Sequence, residues 1–191
     1  MFTKYIFTIG LLVGMSTTVA WSQDVSAENH GKSWYVGLGG AFQSQSFKLK
    51  SSTGTYDLNL TATPMGYLML GYEIPNTNIV IDTTGIYVPA SDVSLSGVVI
   101  GKGAVGHASL SVLFKTNPNL KLGLGINTSA YSGLNFSSAL GLTGTVHYDL
   151  NQNWFLRGEV FTATGTGIGA ATGSTAEHLG VLISSGVQFG F

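Results

Sequence analysis

Apolar residues alternate with small or polar ones, with a period of two, through most of the chain. The alternation is cleanest in residues 177–191, EHLGVLISSGVQFGF. One parity holds Leu179, Val181, Ile183, Ser185, Val187, Phe189 and Phe191, and the other holds His178, Gly180, Leu182, Ser184, Gly186, Gln188 and Gly190. Successive side chains of a strand point to opposite faces, so this stretch reads as a strand with one apolar face. The same reading predicts strands over 33–43, 55–73, 79–88, a stretch ending at Lys115 and clearest over 107–115, 120–131, 136–150, a stretch from Trp154, and 177–191. Along the second strand the apolar phase runs from Tyr56 through Leu58 and Leu60 to Leu68, Leu70 and Tyr72, and is assigned outward throughout. Pro64 lacks the N–H that a ladder needs and predicts a bulge or bend there. Segments 44–54, 89–96 and 165–175 read as loops, and 98–106 as lying above the membrane because Lys102 would otherwise fall on the apolar phase.

The small side chains of one parity suit a narrow interior and the large apolar ones of the other suit lipid. Within the proposed spans Asp, Glu, Lys and Arg all fall on the interior phase. Three short segments rich in turn formers, 74–78, 116–119 and 151–153, alternate with longer connections, as periplasmic turns alternate with outer loops in membrane barrels. Large aromatics gather beside the short turns. Trp34, Tyr72, Phe114, Tyr148 and Trp154 form the expected periplasmic girdle, with Phe42, Tyr56 and Tyr87 expected at the outer one. The predicted fold is therefore all-β: an eight-stranded antiparallel up-and-down transmembrane β-barrel over 33–191.

The terminal strand resembles the C-terminal targeting strand of bacterial outer-membrane barrels, which ends on an aromatic residue with aromatic or apolar residues at alternate positions before it. That resemblance implies an assembly signal at Val187, Phe189 and Phe191, recognised by the barrel-assembly machinery. WYVGLGGAF at 34–42, LMLGYEIPNTN at 68–78 and NWFLRGEV at 153–160 are similar to the small barrels of the OmpA, OmpX and opacity-protein type. The resemblance covers roughly 33–191 and implies a Gram-negative outer-membrane location, in contact with outer-membrane lipid and lipopolysaccharide.

Composition sharpens this picture. Charged residues make up 9% of the 191, against roughly 25% in soluble domains. No apolar run reaches the roughly 20 residues of a spanning helix, so a closed barrel is the remaining way to satisfy the backbone in lipid. Residues 1–20 read as a secretory signal peptide: Lys4 at the start, an apolar run over 5–13 and Thr18-Val19-Ala20 as cleavage site, with cleavage as late as Gln23 open. Residues 21–32 then form a polar periplasmic tail. A net charge of −1 gives no footprint for nucleic acid, and the absence of cysteine removes disulfides and thiolate chemistry.

Three charged residues on the interior phase, Asp82, Arg157 and Glu159, stand near the short turns and predict an ion network filling the lower lumen. The rival reading is a selectivity constriction in a narrow pore. Glu73, Lys121 and Asp149 lie nearer the rim and are expected to be solvated. His107-Ala108-Ser109 resembles the His-x-Ser pair of outer-membrane lipid A deacylases. No Asp or Glu follows within 107–131 to orient the histidine, and no catalytic residue is expected. The four histidines, His30, His107, His147 and His178, show no metal-binding spacing. GTGIGAATG at 165–173 is not placed between a strand and a helix, so no metal or cofactor site is expected. The expected role is non-enzymatic, envelope-structural or surface-interacting; the alternatives are a narrow passive channel and, more remotely, a lipid A-modifying enzyme.

Overall fold

A computed structural model describes residues 33–52, 54–60, 64–95, 98–132, 139–166, 173 and 175–191; the expected signal peptide and periplasmic tail lie outside them. The strands are β1 (Trp34–Ser51), β2 (Gly54–Leu60), β3 (Pro64–Glu73), β4 (Ile79–Leu95), β5 (Val98–Lys115), β6 (Leu120–Ser132), β7 (Ala139–Asp149), β8 (Trp154–Thr166) and β9 (Thr175–Gly190). Each pairs antiparallel with its neighbour. β2 and β3 share one place in the barrel, both between β1 and β4, and β9 returns to pair with β1. The result is a closed barrel of eight staves.

The ladder is staggered. Tyr35 pairs with Gly71, Gly71 with Asp82, and the line continues through Ser111, Gly125, Thr143, Phe161 and Gly180. It returns to β1 at Gln45 rather than at Tyr35. A stagger of this kind is what tilts the strands and sets the bore of a barrel. Where β9 closes on β1, Gly39 stands opposite Gly186. A side chain at either would run into the main chain of the facing strand, at Ser185 or Leu38 respectively.

Burial follows the alternation strictly, with the polarity of a soluble protein inverted. β8 reads exposed or half-exposed at Trp154, Leu156, Gly158 and Val160, and buried at Phe155, Arg157, Glu159 and Phe161. Leu124 is 76% exposed, Leu140 71% and Leu142 69%, which in water would be an aggregation surface and in a bilayer is the lipid face. Trp34, Phe114 and Trp154 are exposed on this face beside the short turns, and Tyr72 and Tyr148 are half-exposed there. The rings of Trp34 and Tyr72, opposite each other in the ladder, lie 4.7 Å apart. Val187, Phe189 and Phe191 share the outer face, and Phe191 exchanges both main-chain hydrogen bonds with Trp34, at 2.9 and 3.2 Å.

Three expectations need correction. The segments read as loops, 44–54 and 89–96, belong largely to strands, because β1 runs to Ser51, β4 to Leu95 and β5 starts at Val98. Once above the membrane both faces of a hairpin meet water, so the ladder continues although the apolar alternation stops. Pro89 is accommodated by a register irregularity between Val88 and Ser91. The second correction concerns phase. β1 pairs β2 and β3 in registers that differ by one residue, so that Tyr56 stands opposite Leu49, on the lumen parity of β1, whereas Leu68 stands opposite the lipid-facing Leu38. The single outward phase assigned from Tyr56 to Tyr72 therefore reverses between β2 and β3, and Tyr56 leaves the outer girdle. Finally, β7 ends at Asp149, which puts Leu150 in the turn.

Candidate functional site: a buried ion network across the lumen

Arg157 and Glu159 are two apart on β8 and so share its inner face, while Asp82 reaches the same space from β4. The fork of the guanidinium meets both acids. Nε donates to Glu159 Oε1 at 2.8 Å, Nη2 donates to Asp82 Oδ1 at 3.0 Å, and Nη1 donates to Asp82 Oδ2. All three side chains are fully buried. Three hydroxyls add further donors to the two acids. Tyr35 donates its hydroxyl to Asp82 at 3.4 Å, and Thr84 and Ser109 donate to Glu159 at 3.2 and 3.1 Å. Buried charges persist in this way only when paired and hydrogen-bonded throughout. Met69, Leu113, Phe155, Phe161 and Leu182 fill the lumen around the network, each with no accessible surface.

A second network lies toward the periplasmic turns. Lys121 pairs with Asp149 at 2.9 Å and with Glu73 at 3.6 Å, Lys115 pairs with Glu73 at 2.6 Å, and Gln188 donates to Asp149 at 2.7 Å. Lys121 and Asp149 were expected to be solvated; both are buried, because Lys121 lies under the ring of Tyr35 and His147 covers Asp149 at 2.9 Å. Glu73 and Lys115 keep about a quarter of their side-chain exposure, 25% and 29%. Below them opens a cavity of about 780 Å³ walled by the three short turns and by Trp34 and Phe189. The inward parity of these residues and their nearness to the turns were legible in the sequence. Their mutual contacts depend on which staves face one another.

His107 and Ser109 of the His-x-Ser pair each engage other partners. Ser109 is engaged by Glu159 and, at 2.6 Å, by Thr84, while His107 Nδ1 meets Ser129 Oγ at 3.0 Å. His107 also packs against Phe161, with ring centroids 4.2 Å apart and the planes tilted by 32°. Its Nε2 lies 4.0 Å from Glu159, an acid from β8 rather than from the segment just downstream. His107 and Ser109 are both buried inside the barrel. Among the described residues no group of His, Cys, Asp or Glu could hold a metal ion.

Among solved structures, the outer-membrane protein AlkL, determined by solid-state NMR in lipid bilayers, matches over 89% of this chain and 96% of its own, with a TM-score of 0.63 and 16% identity. The fold is that of the small outer-membrane β-barrels. OprG from Pseudomonas aeruginosa matches over 83% of this chain and 96% of its own, with a TM-score of 0.50 and 15% identity. No protein-family model and no curated protein sequence matches the chain. The closed barrel and its apolar exterior make the protein an integral, β-stranded component of the bacterial outer membrane.

Proposed function

We propose that this is a sealed, non-enzymatic outer-membrane barrel with an envelope-structural or surface-interaction role. The observation that carries the reading is the Arg157 network. An ion crossing the lumen would have to separate the guanidinium from Asp82 and Glu159 and displace the apolar side chains packed on them. A fully paired network in a filled bore acts as a plug rather than a filter. The channel alternative requires the wild-type plug to open. The lipid A-modifying alternative requires acyl chains outside the barrel to reach His107 and Ser109 inside it. Planar-bilayer recording of the purified protein tests the first: silence supports the plug, and stable ion-selective conductance moves transport to first place. Comparison of lipid A from membranes with and without the protein tests the second, and unchanged acylation supports the non-enzymatic reading.

One observation favours a second reading, the uptake of small apolar molecules from outside. The register of β2 puts Tyr56 on the lumen side opposite Leu49, which itself stands opposite Ala176, and Ile86, Leu182 and Met65 are buried further in. An apolar mouth above a closed plug favours an uncharged hydrophobic solute over an ion. Quenching of a small fluorescent hydrocarbon probe by the purified barrel, lost in Leu49→Asp, would support this reading. Equal binding by wild type and variant would remove it.

A further inference from the structure

Each short turn carries the same triplet. Asn76-Thr77-Asn78, Asn117-Pro118-Asn119 and Asn151-Gln152-Asn153 all read Asn-x-Asn. Turn chemistry accounts for the first asparagine of each. Asn76 has a φ of 59°, a backbone state that asparagine tolerates better than most residues. Asn117 Oδ1 accepts from the main-chain N–H groups of Asn119 and Leu120, at 3.0 and 2.8 Å. Asn151 Oδ1 does the same for Asn153 and Trp154, at 2.9 and 3.0 Å. The second asparagine offers its carbonyl to the next stave: Asn78 accepts from Lys115 and Asn119 from Asp149, both at 2.8 Å, and Asn153 from Gln188 at 2.7 Å. Any residue supplies a carbonyl, so the turns leave the side-chain amides of Asn78, Asn119 and Asn153 unexplained. Among the described residues none of these amides has a hydrogen-bond partner.

Two of the three open into the cavity below the plug. Asn78 and Asn153 line its 780 Å³ together with Gln152, whose amide is likewise unengaged among the described residues. The volume falls within the roughly 300–1,000 Å³ of small-molecule sites. Glu73, Lys115, Lys121 and Asp149 also line it, but they are paired with one another and their charges cancel. Asn78 follows β3 and Asn153 follows β7, so the two stand four staves apart in a barrel of eight, across the mouth from each other. Eight staves about 4.8 Å apart close into a ring roughly 15 Å across, wider than one sugar ring.

We propose that this vestibule binds an oligosaccharide of N-acetylated amino sugars, with the amides of Asn78, Gln152 and Asn153 on its hydroxyl and acetamido groups. This gives the envelope-structural reading a partner and rests on it. A primary amide carries two donors and an oxygen that accepts twice. A sugar hydroxyl both donates and accepts, and an acetamido group presents one donor and one acceptor, so each satisfies both ends of such an amide. An anionic ligand would use the donors alone, and a cationic one the oxygen alone. Either would also have to break the Lys121–Asp149 pair to gain a counter-charge. Two periplasmic sources share the proposed chemistry, the glycan strands of the cell wall and free acetamido oligosaccharides.

The test titrates the full-length mature barrel in detergent with the soluble tetramer of β-1,4-linked N-acetylglucosamine, followed by calorimetry. Maltotetraose serves as the sugar without acetamido groups. Asn78→Ala/Asn153→Ala should weaken binding of the tetramer about tenfold, the weight of one or two hydrogen bonds. Asn119→Ala, at the same place in a turn but outside the cavity wall, should bind as wild type does, and both variants should keep the heat-dependent gel shift. Gln152→Ala, whose side chain takes no part in the turn, should also weaken binding and gives a second reading that does not depend on the turns. Co-sedimentation with purified wall sacculi then separates the sources: retention assigns the site to the wall glycan, and its absence beside tetramer binding assigns it to a free oligosaccharide. No tetramer binding, equal affinity for maltotetraose, or equal affinity in wild type and the alanine variants overturns the proposal. Retention on sacculi without tetramer binding also overturns it, because the charged peptide stems would then be the ligand. Absent sugar binding in a barrel that is silent in planar bilayers strikes the glycan alone, whereas a conducting wild type strikes the sealed-barrel reading.

Discussion

Replacing Arg157 by alanine probes the sealed lumen directly. In the folded barrel the guanidinium engages Glu159 through Nε and Asp82 through both terminal nitrogens, and none of the three side chains has accessible surface. Alanine would leave the two carboxylates facing each other across the space the guanidinium filled. Asp82 would keep the Tyr35 hydroxyl, and Glu159 would keep Thr84 and Ser109. Removing one partner of a buried pair costs about 3–5 kcal/mol. Here two acids lose one counter-charge, which pushes toward the upper end, while the remaining hydroxyl donors and water entering the vacated space push back. The expected loss is about 3–4 kcal/mol, a large part of the ~5–15 kcal/mol that holds a domain folded. Arg157→Lys should fall between, since it keeps the charge and loses the fork. Urea unfolding of the barrel refolded into lipid vesicles, followed by tryptophan fluorescence and by the heat-dependent gel shift, measures the difference. Planar-bilayer recording of the same samples should show a silent wild type and stepwise currents in the alanine variant. A variant that unfolds within about 1 kcal/mol of wild type, the range of exposed pairs, beside a wild type that conducts steadily, would refute the sealed lumen.

Further outcomes follow from the register and the faces. Leu124→Arg, on the most exposed lipid position of β6, should cost about 2–4 kcal/mol, and Thr128→Arg, nearer the headgroups, about 0–1 kcal/mol; urea unfolding in vesicles that ranks them the other way would put the face or the depth of β6 in error. Deletion of Phe191, or Phe191→Asp, removes an outer aromatic paired through its main chain with Trp34, and should lower the fraction of heat-modifiable barrel in the outer membrane; unchanged assembly would count against a targeting role. Gly186→Val should prevent closure, because its side chain would meet the main chain at Leu38, while Gly66→Ala, with open space around it, should refold as wild type does.

The architecture was legible because membrane and lumen impose opposite demands at a period of two, and eight staves with three short turns left little freedom. Asp82, Arg157 and Glu159 could be grouped in advance because an ionised side chain on the lumen parity must find a partner, and in a bore this narrow the partner can come from across the barrel. Their helpers could not be grouped so easily. Thr84, Ser109 and Tyr35 are ordinary lumen residues in the sequence, and only the stagger of the ladder brings β1, β4, β5 and β8 to one depth. Lys121 departs from the expected solvation for a related reason. Its distance from the turn is short, but Tyr35 and Asp149 close over it.

The reversal between β2 and β3 shows what alternation alone leaves open. An apolar parity says which residues share a face, but it says which face that is only while the register against the neighbour is constant. A shift of one residue turns every later side chain to the other side. Tyr56 and Leu68 lie on the same parity in the sequence, yet one stands opposite Leu49 and the other opposite Leu38, which occupy opposite faces of β1. Below the shift the apolar parity meets lipid; above it the same parity lines the mouth, and the alternate parity carries Asp57 to the exterior beside Lys48. A single register change therefore accounts both for an apolar mouth and for a charged outer wall, and Pro64 at the start of β3 was the one sign of it in the sequence.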